Sequence, residues 1–408
     1  MFKIAFKNLL RNSKRSILTI IIIIVATAGM TFGISWINGE ENIIIQGGKK
    51  NTGDIMITPK DYEMRIKTLD ISSNFSYSKI KNKIEKYNFS YTGIGRIKFG
   101  GLVYFNEKHQ TALGTGIESL DYDLIGFEDY LYEGRFIKKD DEIIIGESIK
   151  RNLNLKLGDV VTILTQTQDK SLYSLNYRIV GFYKMDNSRL NRSFYIPLSC
   201  SQYLLDMEDR VVEFLLFLKD DKNILPLYDS LLLDFNSSNN LQVKKWDEVG
   251  INESMGKMMK FIKIIFVFIF SILSALSISN TMLMTVFERK YEIGLLKSLG
   301  IREGRIKKLF LLEGIYMGII GSFIGIAIGS GIAIYLGRVG VNFGDTLEKF
   351  TTELNVKGVI YPIWTFSTVI LTFNVSILTS ILATFMAISN EVKKEAIINM
   401  RNLKGDFL

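Results

Sequence analysis

Ile17–Ile37 reads ILTIIIIIVATAGMTFGISWI, 21 residues without a charged side chain. At about 1.5 Å rise per residue, a helix of that length crosses the roughly 30 Å hydrocarbon core of a bilayer. Three further runs match it: 258–287, uncharged from Ile264; 309–336, with Glu313 as its one charge; and 363–389, uncharged. Buried soluble helices rarely run so long without a charge, and four in one chain point to a membrane protein with four transmembrane helices. Basic residues precede the first run and Ala26-x-Ala28 resembles a leader-cleavage site. The apolar stretch continues nine residues past Ala28, too far for a signal h-region, so it reads as an uncleaved anchor.

Composition narrows the chemistry. Of the 408 residues, 47% are hydrophobic and 23% charged, too apolar for a solvated disordered chain. The one cysteine, Cys200, leaves no intrachain disulfide, and the one histidine, His109, cannot build a Cys/His metal site or a histidine-based triad. Both read as structural residues.

The net charge of +8 is a topology signal. Residues 1–16, 288–308 and 390–408 together hold 16 basic and 6 acidic residues, so they carry +10 while the remainder sums to −2. By the positive-inside rule both termini and the 288–308 loop are expected on the cytoplasmic side. The basic excess then serves orientation and anionic lipid; no nucleic-acid partner is expected.

That topology places 38–257, roughly 220 residues, outside the cytoplasm, enough to bury a core of its own. Strand-length apolar runs lie at 54–59, 142–146, 159–165, 176–183 and 211–218, with helices expected at 77–87, 148–154, 197–207 and 223–236. The fold expected is therefore an α-helical membrane protein whose large α+β extracytoplasmic domain is inserted between the first and second spans. A short outer loop, 337–362, and a charged tail, 390–408, complete it.

The loop FERKYEIGLLKSLGIREG, from Phe287, sets Ile293, Leu295, Leu296 and Leu299 among charged residues in a segment too short to fold alone. Such a segment needs a surface, and periodicity leaves open whether that is the bilayer or a partner. Glu313, one turn into the third span, reads as paired with a nearby basic residue or snorkelling. Gly29/Gly33, Gly314/Gly318 and Gly321/Gly325/Gly329 are spacings that let helices approach closely.

This loop resembles the E-R-x-x-E-I-G-x-L-[RK]-[AS]-L-G signature of the MacB/FtsX-type ABC transporter permeases, matched by Glu288, Arg289, Glu292, Ile293, Gly294, Leu296, Lys297, Ser298, Leu299 and Gly300. The opening IAFKNLLRNSKRSILT is similar to the family's entry helix, and 133–164 and 177–183 resemble its extracytoplasmic core domain. The tail EAIINMR resembles the family's ending, without its usual proline; residues 60–99 match weakly. The resemblance implies that Glu288, Arg289, Glu292, Ile293, Leu295, Leu296, Lys297, Leu299 and Gly300 couple the chain to two copies of an ABC ATPase subunit. It also implies a second permease subunit, identical or paralogous.

Among such permeases the domain size is most similar to the LolC/LolE lipoprotein-releasing type. That implies a lipoprotein cargo, a periplasmic chaperone, and a cavity between the first two spans, to which Phe32, Trp36, Met258, Phe261, Ile265 and Phe268 are assigned. Of these, Met258, Phe261, Ile265 and Phe268, with Ile272, recur at helical spacing on one face. A chaperone-contact hairpin is implied at Gln166, Gln168, Leu172 and Tyr173. Efflux of peptides or drugs, and activation of an extracytoplasmic enzyme without transport, are the alternatives. The nearest approach to a phosphate-binding loop, Gly250-INESM-Gly256-Lys257-Met258, has five intervening residues and no hydroxyl. ATP and Mg²⁺ are accordingly expected in the partner, with no cofactor and no metal bound by this chain and no catalysis of its own.

Overall fold

The computed structural model describes residues 13–87, 89–185, 190–236, 240–342 and 359–405. Most of the expected entry helix and the greater part of the 337–362 loop lie outside the described residues. The chain divides into two compact units, one holding 13–41, 257–342 and 359–405, the other 42–256.

In chain order the main helices are α1 (Ser13–Thr52), α2 (Tyr77–Ile84), α3 (Glu147–Leu153), α4 (Leu198–Leu204), α5 (Ile224–Asn236), α6 (Gly250–Glu288), α7 (Lys290–Ser298), α8 (Glu303–Val339) and α9 (Phe366–Gly405). Four of them, α1, α6, α8 and α9, are long and apolar enough to cross a membrane. The helices outrun the apolar segments. The first does not stop near Asn38 but continues to Thr52, the second starts at Gly250 rather than Met258, and the last runs on through the charged tail to Gly405. Charge marks where a helix leaves hydrocarbon, whereas a helix ends only where its backbone is capped or bent.

The first unit packs through small residues. Phe270 and Phe266 seat their rings on Gly29 and Gly33 of α1, where a Cβ at Gly29 would come within 2.6 Å of the Phe270 ring. Gly321, Gly325 and Gly329 of α8 lie against Ile23, Thr27, Ala28 and Thr31 of α1, and Gly314 and Gly318 against Thr384 and Ser380 of α9. The glycine spacings are therefore contact surfaces. A ladder of hydroxyls binds α1 to α9: Thr27–Ser376 at 3.2 Å, Thr31–Thr372 at 3.3 Å, and Asn38 Nδ2 donating to Thr368 Oγ1 at 3.2 Å. In lipid such bonds are what van der Waals contact alone cannot supply, each contributing about 0.6 kcal/mol. Over its last four turns α6 buries one face through Ser274, Ile278, Met282 and Val286.

The second unit is built on strands β1 (Ile55–Pro59), β2 (Phe75–Ser76), β3 (Tyr91–Phe105), β4 (Lys108–Ile117), β5 (Leu131–Gly134), β6 (Glu142–Gly146), β7 (Val160–Gln166), β8 (Leu172–Tyr183), β9 (Ser193–Pro197), β10 (Arg210–Val211), β11 (Glu213–Leu218) and β12 (Leu241–Lys245). The large sheet runs β12-β1-β11-β3-β4-β9-β6-β8-β5, and β7 bridges β3 and β8. Following the pairings from β3 through β4, β9, β6, β8 and β7 leads back to β3, so these six strands close a barrel. Strand β3 joins two lobes. Its first half, 91–96, pairs with β11 of the open sheet, and its second half, 97–105, enters the barrel. Fully buried Phe99, Phe182, Phe194 and Ile163 belong to one core with Phe214, Leu215 and Leu231.

The expected strands and helices are present, but the β3–β4 hairpin was not foreseen. Gly93, Gly95, Gly100 and Gly101 interrupt the apolar alternation that marks a strand. Two of them sit where rings would collide with a side chain: Phe214 lies over Gly93 and Tyr77 over Gly95. The run 211–218 is also not one strand, because β10 pairs with β2 and only β11 joins the large sheet.

Candidate functional site

The predicted coupling segment forms an elbow between α6 and α8. Helix α6 ends at Glu288, α7 begins at Lys290, and Arg289 occupies the break. Its Nη1 donates to Glu313 Oε1 of α8 at 2.8 Å, with the two side chains 5% and 2% exposed. The guanidinium carbon lies 5.9 Å from the Phe310 ring centroid. Around the pair, Val286 of α6, Ile293 of α7, Ile306 and Phe310 of α8, and Ile388 of α9 form a buried apolar cluster. One short helix is thus held by three long ones. Burying two charges costs several kcal/mol per ion, which their attraction and hydrogen bond offset.

The far end of α7 explains the signature's closing Leu-Gly. Gly300 has φ 78°, its N–H donates to Lys297 O at 2.9 Å, and Ile301 N–H donates to Leu296 O at 3.1 Å. This is a Schellman ending, with the left-handed residue taken by glycine and an apolar contact between the residues at its two ends. Leu296 and Ile301 both pack against the elbow cluster.

The opposite side of α7 has no cover within the unit. Tyr291, Leu295 and Leu299, spaced by four, are 93%, 63% and 71% exposed. Glu288 and Glu292 border them. Glu288 pairs with Arg15 at 2.8 Å, and Lys297 with Glu303 at 3.5 Å. Of the residues assigned to coupling, Leu295, Leu299, Glu288 and Glu292 are on the exposed side. Arg289 and Ile293 turn inward instead, Leu296 is half-buried, and Gly300 shapes the turn. Tyr291, not among the assigned residues, shares that exposed side; its position four residues before Leu295 was readable. Glu313 is the paired carboxylate that its surroundings suggested.

The other assigned residues are not gathered into one site. Phe32 and Trp36 are half-buried on α1 with ring centroids 6.0 Å apart. Met258, Phe261, Ile265 and Phe268 are exposed along α6. In the second unit Gln166 and Leu172 close the β7–β8 hairpin, but its tip does not stand free: Gln168 N–H donates to Leu205 O at 3.0 Å, and Tyr173 meets Tyr203 edge-on at 6.0 Å.

Comparison with known proteins accounts for both units. The MacB-like periplasmic core domain model matches residues 16–230, and the FtsX-like permease C-terminal model matches 264–392. The chain belongs to the MacB/FtsX family of ABC transporter permeases. It is therefore a membrane protein with an extracytoplasmic domain, and membership of the family implies a partner ATPase and a partner permease. An uncharacterised ABC transporter permease of Methanocaldococcus jannaschii is 25% identical over 344 residues, covering 80% of this chain and 81% of that one. The macrolide export ATP-binding/permease protein MacB of Neisseria meningitidis is 23% identical over 386 residues, covering 88% of this chain but 55% of that one. Among solved structures, the periplasmic region of MacB from Actinobacillus actinomycetemcomitans aligns over 50% of this chain and 92% of that one, with 16% identity and a TM-score of 0.36.

Proposed function

We propose that this permease is a force-transmitting subunit: a separate ATPase docks on the exposed side of α7, and its nucleotide-driven movement reaches the extracytoplasmic domain through the long helices. The observation that carries the reading is the two-sided character of α7. One side is fastened to three membrane helices, and the other presents Tyr291, Leu295 and Leu299 uncovered. Exposed apolar stripes of this kind mark binding surfaces. In this reading both termini and the elbow are cytoplasmic, as the lysine and arginine distribution supports. ATP and Mg²⁺ stay with the ATPase, which binds in two copies to a pair of permease subunits.

For cargo we propose an amphiphile taken from the outer leaflet, in the first instance a lipoprotein, as in LolC/LolE-type permeases. Each acyl CH₂ moved from lipid to water costs about 0.8 kcal/mol, so release requires both ATP work and an apolar receiver such as a chaperone. Phe32, Trp36, Met258, Phe261, Ile265 and Phe268 are the residues proposed to meet it. A second reading, export of the MacB kind, is favoured by the tied-down tip at Gln168, which offers a chaperone no free hook. A mechanotransmitter that activates an outer enzyme uses the same lever.

The docking step is tested by Leu295→Asp, with Leu296→Asp as its half-buried neighbour. Leu295→Asp is expected to abolish co-purification of the ATPase while membrane insertion persists; retention of the ATPase would defeat the reading. Mass spectrometry of the purified complex then separates the cargo classes. An acylated protein supports release, an unacylated peptide or drug supports export, and a cell-wall hydrolase supports mechanotransmission.

A further inference from the structure

The end of α1 enters the second unit beside a guanidinium that the coupling site does not use. Arg96, in the middle of β3, is buried, and its partner Asp121 at the start of the short helix Asp121–Ile125 is buried as well. Arg96 Nε lies 3.0 Å from both Asp121 carboxylate oxygens, and Nη2 also reaches Asp121. The remaining arm, Nη1, donates to the backbone oxygen of Asn51 at 2.8 Å. Asn51 is in the last turn of α1, where carbonyls lack helical partners and carry the negative end of the helix dipole.

The chain stops being helical immediately afterwards. Gly53, at φ 68°, returns its N–H to Lys49 O at 2.8 Å, and a Cβ there would meet Leu216 O at 2.8 Å. Asp54 N–H then donates to Leu216 O at 2.8 Å, and the Asp54 carboxylate accepts from Leu218 N–H at 2.8 Å and pairs with Lys49 at 3.0 Å. Helix end, β11 and β3 are thereby held together within four residues of chain.

A buried ion pair is weak evidence for stability, because apolar side chains of like volume often do as well; its best-attested use is to set register. Only a guanidinium has the geometry to grip a carboxylate with one edge and a helix carbonyl with the remaining arm. We propose that Arg96 is a positioning residue that anchors the C-terminal turn of α1 to β3 and to the Asp121 helix, so that displacement of α1 is delivered to the strand shared by both lobes. The delivery rests on the force-transmission reading above; the anchoring does not.

The test is hydrogen exchange on the full chain in lipid nanodiscs, without nucleotide, in three forms: wild type, Arg96→Lys, and the double substitution Arg96→Met with Asp121→Leu. The double variant removes both charges and keeps an apolar core, so it guards against simple unfolding. Arg96→Lys keeps a cation beside Asp121 but loses the forked grip on Asn51. Both variants are expected to exchange the amides of Gly53 and Asp54 at least fivefold faster, with the β7–β8 hairpin at 160–183 unchanged. A change below fivefold at Gly53 and Asp54, or an equal acceleration at 160–183, would overturn the anchoring. Adding the ATPase and nucleotide to the wild type examines the transmission reading separately: an unaltered exchange pattern across 91–105 removes that reading and leaves the anchor standing on the first measurement.

Discussion

At Arg289 a guanidinium donates to the Glu313 carboxylate and lies above Phe310; at Arg96 it reaches both oxygens of Asp121 and a helix carbonyl. At the elbow the ion pair sits among the apolar side chains of Val286, Ile293, Ile306, Phe310 and Ile388. The root of the domain is held by directed bonds that converge on Asn51, Gly53 and Asp54. Apolar packing tolerates sliding between neighbouring arrangements, whereas a set of directed hydrogen bonds admits one register. Under the proposed force transmission, the contrast suits an input that bends and an attachment that does not slip.

The largest expected effect breaks the elbow's ion pair. Glu313→Ala removes the carboxylate paired with the buried Arg289 cation and is expected to cost about 3–5 kcal/mol, read as loss of the folded chain in a detergent-stability assay. Replacing both partners, Arg289→Met with Glu313→Leu, is expected to restore most of it. If the single substitution is as stable as wild type, the ion pair contributes nothing and the cluster alone holds the elbow.

Glycines at the two ends sharpen the contrast. Gly300 at the elbow and Gly53 at the root both have left-handed backbones, yet a Cβ at Gly300 meets nothing within 4 Å while one at Gly53 meets Leu216 O. Gly300→Ala is expected to cost about 1–2 kcal/mol, the left-handed penalty alone. Gly53→Ala is expected to cost more, because the facing atom is sheet backbone with no rotamer to yield. Equal melting shifts would mean that the root is as compliant as the elbow.

A further expected effect is acid. Arg135, donating to Glu142 at 2.8 Å, together with the backbone N–H groups of Lys138 and Lys139, holds the Glu142 carboxyl down from 4.5 to about 2. A carboxyl depressed on folding stabilises the domain fully above its unfolded pKa and loses that stabilisation as pH falls through the folded value. The domain is therefore expected to lose stability between about pH 4.5 and 2, and Glu142→Gln to flatten that part of the melting curve. An unchanged curve in the variant would show that other carboxylates govern the acid limb.

Much of the architecture was legible because it follows from short windows. The buried runs 55–59 and 142–146 are strands as read, and α3 and α5 begin within one residue of their expected starts. The β3–β4 hairpin was hidden by glycines whose reason is Phe214 and Tyr77, residues distant in the chain. At the elbow the motif picked out the segment by sequence alone, but which side of α7 faces in depends on Ile306, Phe310 and Ile388, so Arg289 and Ile293 are buried and Tyr291 is exposed.

Membrane crossing and the basic bias of three segments are sums of per-residue transfer free energies, so composition along the chain suffices to read them. The closure of six strands through β3, the partner chosen by each buried arginine, and the carbonyl held by Arg96 belong to the tertiary structure. They depend on which of many distant groups come within hydrogen-bonding reach, and burial makes the unmatched alternatives too costly to persist.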